Sequence, residues 1–484
     1  MKRTIFPNDF SPYYPMGILP CPMYVDVANR IYDKIKEMDI DLPNADKLKK
    51  EIAINAAIYY EDKMSDIGLW NAFVSKHLQA YSRPLPFFDD FDVLDRYDVN
   101  AKEVELLVWF VLSRNFGDRF LNPLAMGEDA ANVIMEILTE DEKVEVNESL
   151  REFIYNTDTT NDYFKLKHVL IWLRRSYLLC SPLSEKRFKD YEESYLEMFS
   201  ENESVYYAET AFSMDTEIGP MAVLPHFWLA DMYFENDMPE VSEALKNLKY
   251  CLQDVFEVTA ADSKYAVLKS TKDEEYKLKN VYPDIFCEGS YICTALVKFA
   301  DNDWEINGVV FNSEKNVYDK MHERHEKLKR SQKHVFPLYL KRAKGEHLAF
   351  FENTNQLKDW LKKIAPELVA KVSHRLPSGP IASFISEKSG LIFVPRMNHA
   401  MKCGNNPYYG KCDEHTMQQE TMDAVINKKA MHPELLHYLI ENSMLPNGDL
   451  SYNYPSELGK KIFTRNIDFI ARQHRLHYYY DHNY

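Results

Sequence analysis

The hydrophobic period of this chain changes near residue 255, and that change restricts it to folds with a helical part and a separate sheet-forming part. Before the change, apolar residues recur at helical spacing. Val27, Ile31, Ile35 and Met38 make one stripe. Asn100, with Glu103 three positions on, resembles a capping box that opens a helix running through the apolar run 106–112. Being apolar all round, this helix is predicted to lie in the middle of a helical core. Further helices are expected over about 128–155 and 161–180, the second amphipathic through Phe164, Val169, Trp172 and Leu173. Pro84 and Pro86 close an earlier helix, because proline lacks the N–H that a helix interior needs. Another helix starts after Pro220 and carries His226, Trp228 and Met232.

After the change, Tyr291, Cys293, Ala295, Val297 and Phe299 alternate, as do Trp304 and Ile306. Asp301-Asn302-Asp303 and Asn307-Gly308 supply turn chemistry. This predicts a small antiparallel sheet or partial barrel over 255–312. A polar helix is expected over 314–333, then strands at 335–341 and 347–352. A helix at 354–364, capped by Asn353 or Thr354, a strand at 391–394 and a helical tail over about 416–477 complete the reading. The fold class is α+β, mainly α. It comprises a helical N-terminal domain (1–250), a small antiparallel β insert (255–312) and a basic-to-neutral α+β C-terminal part with a helical tail (314–484).

Composition excludes several classes. Hydrophobic residues at 45% and charged residues at 27% are those of a globular chain, not a disordered or fibrous one. No apolar stretch follows the first residues as a leader would require, and the run 106–112 is far short of the roughly 20 residues of a membrane crossing. Seven scattered cysteines have the pattern of reduced thiols, so a cytoplasmic protein is expected. Residues 1–314 carry 32 Lys/Arg and 57 Asp/Glu, net −25, whereas 315–484 carry 26 and 18, net +8. The two parts can attract one another, which is the simpler account, or the basic part can face an anionic partner.

Glycine is scarce: 14 of 484 residues, about 3% against a usual share near 7%. Gly-x-Gly occurs nowhere, which removes the dinucleotide fingerprint and the kinase glycine loop. The segment from Gly404 to Cys412 only approaches a P-loop. It has one residue too many between its glycines, and Cys412 stands where a magnesium-binding hydroxyl is needed. Neither Gly-x-Ser-x-Gly nor His-Glu-x-x-His is present.

Four clusters and a second basic run are candidates for chemistry. His399 and Cys403, followed by Cys412 and His415, form two close pairs of soft ligands, a candidate for structural zinc; no other cofactor is expected. Asp89, Asp90, Asp92, Asp95 and Asp98 lack the glycine and distal glutamate of a calcium loop and read as a solvated connection. Glu434-x-x-His437 is half of a di-iron helix motif with no second copy. Lys327, Lys329, Arg330, Lys333, Lys341 and Arg342, interleaved with histidines and near Phe336 and Tyr339, are the candidate nucleic-acid contacts. A second basic run, 472–480, ends in tyrosines expected to pack the tail onto the body.

The segments 60–73 (YEDKMSDIGLWNAF), 85–88 (LPFF), and 390–395 (GLIFVP) leading to Asn406-Pro407-Tyr408-Tyr409 resemble an uncharacterised domain-of-unknown-function family of Bacteroides and related gut bacteria. The resemblance runs over most of the chain. It implies a bacterial, cytoplasmic origin and no activity, and it attaches to the Asn-Pro-Tyr-Tyr turn and not to the flanking cysteines, which weighs against zinc. Three functions remain. The first is a non-enzymatic protein-binding or scaffold protein, whose aromatic-rich helical body recognises an unidentified protein partner. The second is a nucleic-acid-associated protein using 315–375. The third is an enzyme whose site is assembled from distant residues such as Glu61, Asp62, Asp66 or His168.

Overall fold

A computed structural model of the chain describes residues 4–474 except 39–43, 89–94, 116–120, 122–126, 141–144, 157–161, 197–198, 282, 344, 367, 373–378, 387–389, 396, 428–430 and 449–455. Asp89, Asp90 and Asp92 of the acidic stretch lie outside the described residues, as do 475–480 of the C-terminal run and the side chains of Lys333 and Arg342. Helix takes 54% and strand 14%, so the chain is mainly α with antiparallel sheets. No helix among the described residues is long and apolar enough to cross a membrane.

The chain divides into two units. The first takes residues up to 117, 121–268 and 275–313. Its helices are α1 (Pro22–Ile35), α2 (Ala45–Met64), α3 (Leu69–Tyr81), α4 (Ala101–Arg114), α5 (Gly127–Leu138), α6 (Glu148–Tyr155), α7 (Tyr163–Leu173), α8 (Pro182–Leu196), α9 (Glu201–Asp215), α10 (Pro225–Glu235) and α11 (Pro239–Lys246). Its strands are β1 (Lys249–Ala261), β2 (Tyr265–Ser270), β3 (Glu275–Lys279), β4 (Tyr291–Lys298), β5 (Glu305–Ile306) and β6 (Phe311–Ser313).

Helices α2 and α4 are buried on nearly every face, as the all-round apolar run 106–112 predicts. Asn100 caps α4 through the Lys102 amide, but Glu103 does not complete the capping box. Its carboxylate turns inward, accepts a hydrogen bond from the Tyr59 hydroxyl and pairs with Lys63 at 3.1 Å. Pairing with a buried cation overrides the cap here, because a carboxylate is costly to bury unless it is met by charge and donors.

The sheet runs β3-β2-β1-β4-β5, with β6 also paired to β4. Strands β1 and β4 are antiparallel, with Phe256 opposite Ile292 and Val255 opposite Cys293. The alternation in β4 is as expected, but the most deeply buried side chains, Ile292, Thr294 and Leu296, are not those read from the sequence. Ile292 and Leu296 pack with Phe256, Leu268 and Leu278. Ala295 faces Tyr195, Tyr207 and Met214, so both faces of the strand are covered.

The second unit takes 269–274 and 314 onward. It contains α12 (Lys315–Arg342), β7 (Leu348–Phe351), α13 (Thr354–Leu361), α14 (Leu368–Val372), β8 (Ile381–Ser386), β9 (Gly390–Pro395), α15 (Glu414–Ile426), α16 (Pro433–Glu441) and α17 (Glu457–His474). β7, β8 and β9 form an antiparallel sheet in that order. Asn353 caps α13 as predicted, accepting from the amides of Asn355 and Gln356. The strand expected at 335–341 is instead the last turns of α12, which continues through Pro337. Phe336, Leu338 and Leu340 fit a strand period and Phe336, Leu340 and Ala343 fit a helix period, so the pattern is ambiguous. Tyr339 decides the matter. It is fully buried among Phe351, Leu357, Leu361 and Ile381, with its hydroxyl 2.6 Å from the Ser383 carbonyl.

Lys63 and Glu103 are 2% and 1% exposed. Removing one partner leaves the other charge buried, so Lys63→Met should cost about 3–5 kcal/mol in urea denaturation of the full chain. Asp359→Asn, which breaks the solvent-facing pair with Lys362, should leave the denaturation midpoint unchanged.

Candidate functional site

The residues considered for an assembled enzyme site do not converge. Asp62 accepts from the amides of Leu69 (3.1 Å) and Trp70 (2.8 Å), the first turn of α3, and from the Tyr177 hydroxyl at 2.7 Å. It ties one helix to the start of the next across a turn in which Gly68 has φ +81° and a Cβ would meet Asn236 at 3.0 Å. Glu61 accepts from the Tyr14 hydroxyl, from Asn147 Nδ2 at 3.0 Å and from the Cys21 amide at 3.1 Å. A cavity of about 20 Å³ beside these two carboxylates has room for one water and no substrate. Asp66 pairs with Arg96 at 3.0 Å, and His168 is exposed on α7.

The four zinc candidates are not gathered either. His399 Nδ1 lies 2.8 Å from Glu420, whose second oxygen accepts from the His399 amide. His415 is exposed on α15. Burial raises the Cys403 thiol to about 11 and also raises Cys412, so neither is an activated thiolate by itself. Among the described residues no group of three or more His, Cys, Asp or Glu side chains could hold a metal ion.

The candidate nucleic-acid residues all lie on α12. At 100° per residue, Lys327, Lys329, Arg330 and Lys341 fall within roughly 160° of its circumference. Lys329 is engaged by Glu326 at 3.3 Å and by the Lys272 carbonyl at 3.1 Å.

A different place gathers functional side chains: a cavity of about 590 Å³ in the second unit, the size of ligand pockets. Three elements build it, each by its own period. Helix α16 turns Leu435, Leu436 and Leu439 into the core, which leaves Glu434, His437, Tyr438 and Glu441 (i, i+3, i+4, i+7) as its second face. β8 contributes Phe384 and Ser386, two apart and so on one side of the sheet. The end of α12 contributes Phe336 and Leu340, one turn apart. His347, just before β7, completes the wall.

The pocket side chains are held in place. The Ser386 hydroxyl donates to Glu434 at 2.6 Å. His347 Nδ1 donates to the Ile385 carbonyl at 3.0 Å, which fixes the ring between Tyr438 (5.3 Å between centroids), Phe336 (5.9 Å) and Phe384 (6.2 Å). His437 Nδ1 is 3.5 Å from Asp468 of α17, itself bonded to Arg472 at 2.8 Å. Burial, followed by the nearby Glu346 carboxylate, raises the Tyr438 hydroxyl. Such a site can seat an organic molecule against aromatic side chains and present carboxylate and imidazole groups to it. Glu434 and His437 were picked out in the sequence as a metal motif; the signal that would have located the pocket is the complete i, i+3, i+4, i+7 face opposite three leucines.

Fold and site together define a mainly α, α+β protein with a ligand-sized aromatic pocket in its second unit. Residues 4–277 and 298–476 match DUF3843, described as a protein of unknown function, and the chain belongs to that family. No curated protein and no solved structure matches the chain.

Burial raises Glu61 above its usual 4.5 and Asp62 above its usual 3.8, and the hydrogen bonds they accept only partly oppose this. The folded state therefore keeps protons that the unfolded chain has released, in a window opening at those values and extending upward. Their contribution to stability is fully present below the window and is lost as pH rises through it. Glu61→Gln should thus show a shallower fall in unfolding free energy than the parent chain between pH 4.5 and neutrality. A parent chain that gains stability relative to the variant over that range would mean that Glu61 is held ionised.

Proposed function

We propose that the protein is an intracellular, non-enzymatic binding protein, and that the pocket between α12, β8 and α16 recognises a small organic molecule in place of the protein partner expected from the sequence. The observation that carries this reading is the convergence of three independently periodic faces on one cavity of about 590 Å³. Glu61, Asp62 and Asp66 are engaged in joining elements of the first unit, which favours binding over catalysis by those groups. The seven cysteines are free thiols, consistent with a reducing compartment.

Ligand-observed NMR of the full chain against a fragment set of mixed charge should yield binders. Leu340→Trp, which sets a larger ring into the pocket wall, should weaken them by at least about tenfold while the circular dichroism spectrum stays that of the parent. Binders whose affinity is unchanged in the folded variant would overturn the assignment.

A further inference from the structure

The pocket wall has a sign that the surrounding sequence does not. Residues 315–484 carry a net charge of +8, yet the wall contains Glu434 and Glu441 and neither lysine nor arginine among the described residues. Glu346 lies close enough to act on Tyr438 electrostatically. Glu434 is half-buried, Glu441 is exposed, and both line the cavity. Tyr438, Phe384 and Phe336 line the same cavity, with the rings of Tyr438 and Phe384 5.1 Å apart. Aromatic faces carry negative charge density and attract ammonium groups, the more so where water is excluded.

The spacing of the carboxylates narrows the ligand further. Glu441 stands seven positions after Glu434, a rise of about 10 Å, so an elongated ligand is the one that can meet both carboxylates without drawing their side chains together. A linear organic cation with an ammonium group at each end can reach both, while its methylene chain lies on the rings. We infer that this pocket binds a linear alkyl diamine in its doubly protonated form, with one ammonium at Glu434 and the other at Glu441. The inference rests on the pocket being a binding site. Ser386 holds one side of Glu434 and leaves its second oxygen for the ligand. The ring of His347, locked by the Ile385 carbonyl, forms part of the floor against which the chain packs.

Isothermal titration calorimetry at physiological ionic strength, on the full chain, tests this with 1,6-diaminohexane, n-hexylamine, 1,6-hexanediol and adipate. The diamine should bind about two- to fivefold more tightly than the monoamine, which is what one exposed ion pair supplies. The diol and the dicarboxylate should not bind. Glu441→Gln should abolish the preference for diamine over monoamine, because the residue is exposed and its loss leaves the aromatic wall intact. Glu434→Gln should weaken both amines. Diamine affinity unchanged in Leu340→Trp would place the amine on the acidic surface elsewhere and overturn the inference, as would a Glu441→Gln variant with an unchanged preference. Tight binding of the diol or of adipate would overturn the charge assignment and leave the pocket reading standing. If none of the four probes binds and the fragment set yields no binder either, both fall.

Discussion

Helix α2 carries Glu61, Asp62 and Lys63 into the interior of the first unit, and the arrangement around them follows from the cost of leaving a polar or charged group there without partners. Each group is met by a different part of the chain: Glu61 by Tyr14, Cys21 and Asn147, Asp62 by the first turn of α3 and by Tyr177, Lys63 by Glu103 of α4. The apolar bulk of the unit drives burial in general, but these contacts are directional. Sliding α2 by one residue would move all three groups off their partners at once. The network therefore sets the register of α2, α3 and α4, and it explains why α4 gives up half of its cap to turn Glu103 inward.

The second unit solves a different problem. Its helix α16 has one leucine face and one polar-aromatic face, so burial of the first necessarily presents the second. The end of α12 is pinned over the sheet by Tyr339, whose hydroxyl reaches the carbonyl of Ser383 in β8. That contact fixes where Phe336 and Leu340 stand and, with β8, closes the pocket opposite α16. Site and core are thus made by the same elements, with the leucines and Tyr339 doing the packing while Glu434, Glu441 and the rings face the cavity.

Several elements were legible in the residues themselves. The all-apolar run 106–112 identified the buried helix, Asn353 identified the cap of α13, and the alternation in 291–299 identified a strand. What could not be read was which face a period presents, because both faces of β4 are covered and the alternation is the same for either. The stretch 335–341 satisfies two periods at once, and only its contact with β8 separates them. Closeness in sequence does not name the partner of His399 either, which is Glu420, twenty-one residues away.

From the sequence alone came the helical body, the antiparallel insert, the scarcity of glycine that excludes phosphate-cradling loops, and the uneven charge. All of these are local or additive properties, set by side-chain type and by spacing within a few residues. Tertiary structure alone decided that Glu61 and Asp62 join helices, and that Glu434, His437, Tyr438 and Glu441 share a cavity with Phe336, His347, Phe384 and Ser386. The physical reason is the distance along the chain: the cavity wall draws on residues from 336 to 441, and a period of two or 3.6 carries no information about which strand will lie across from which helix.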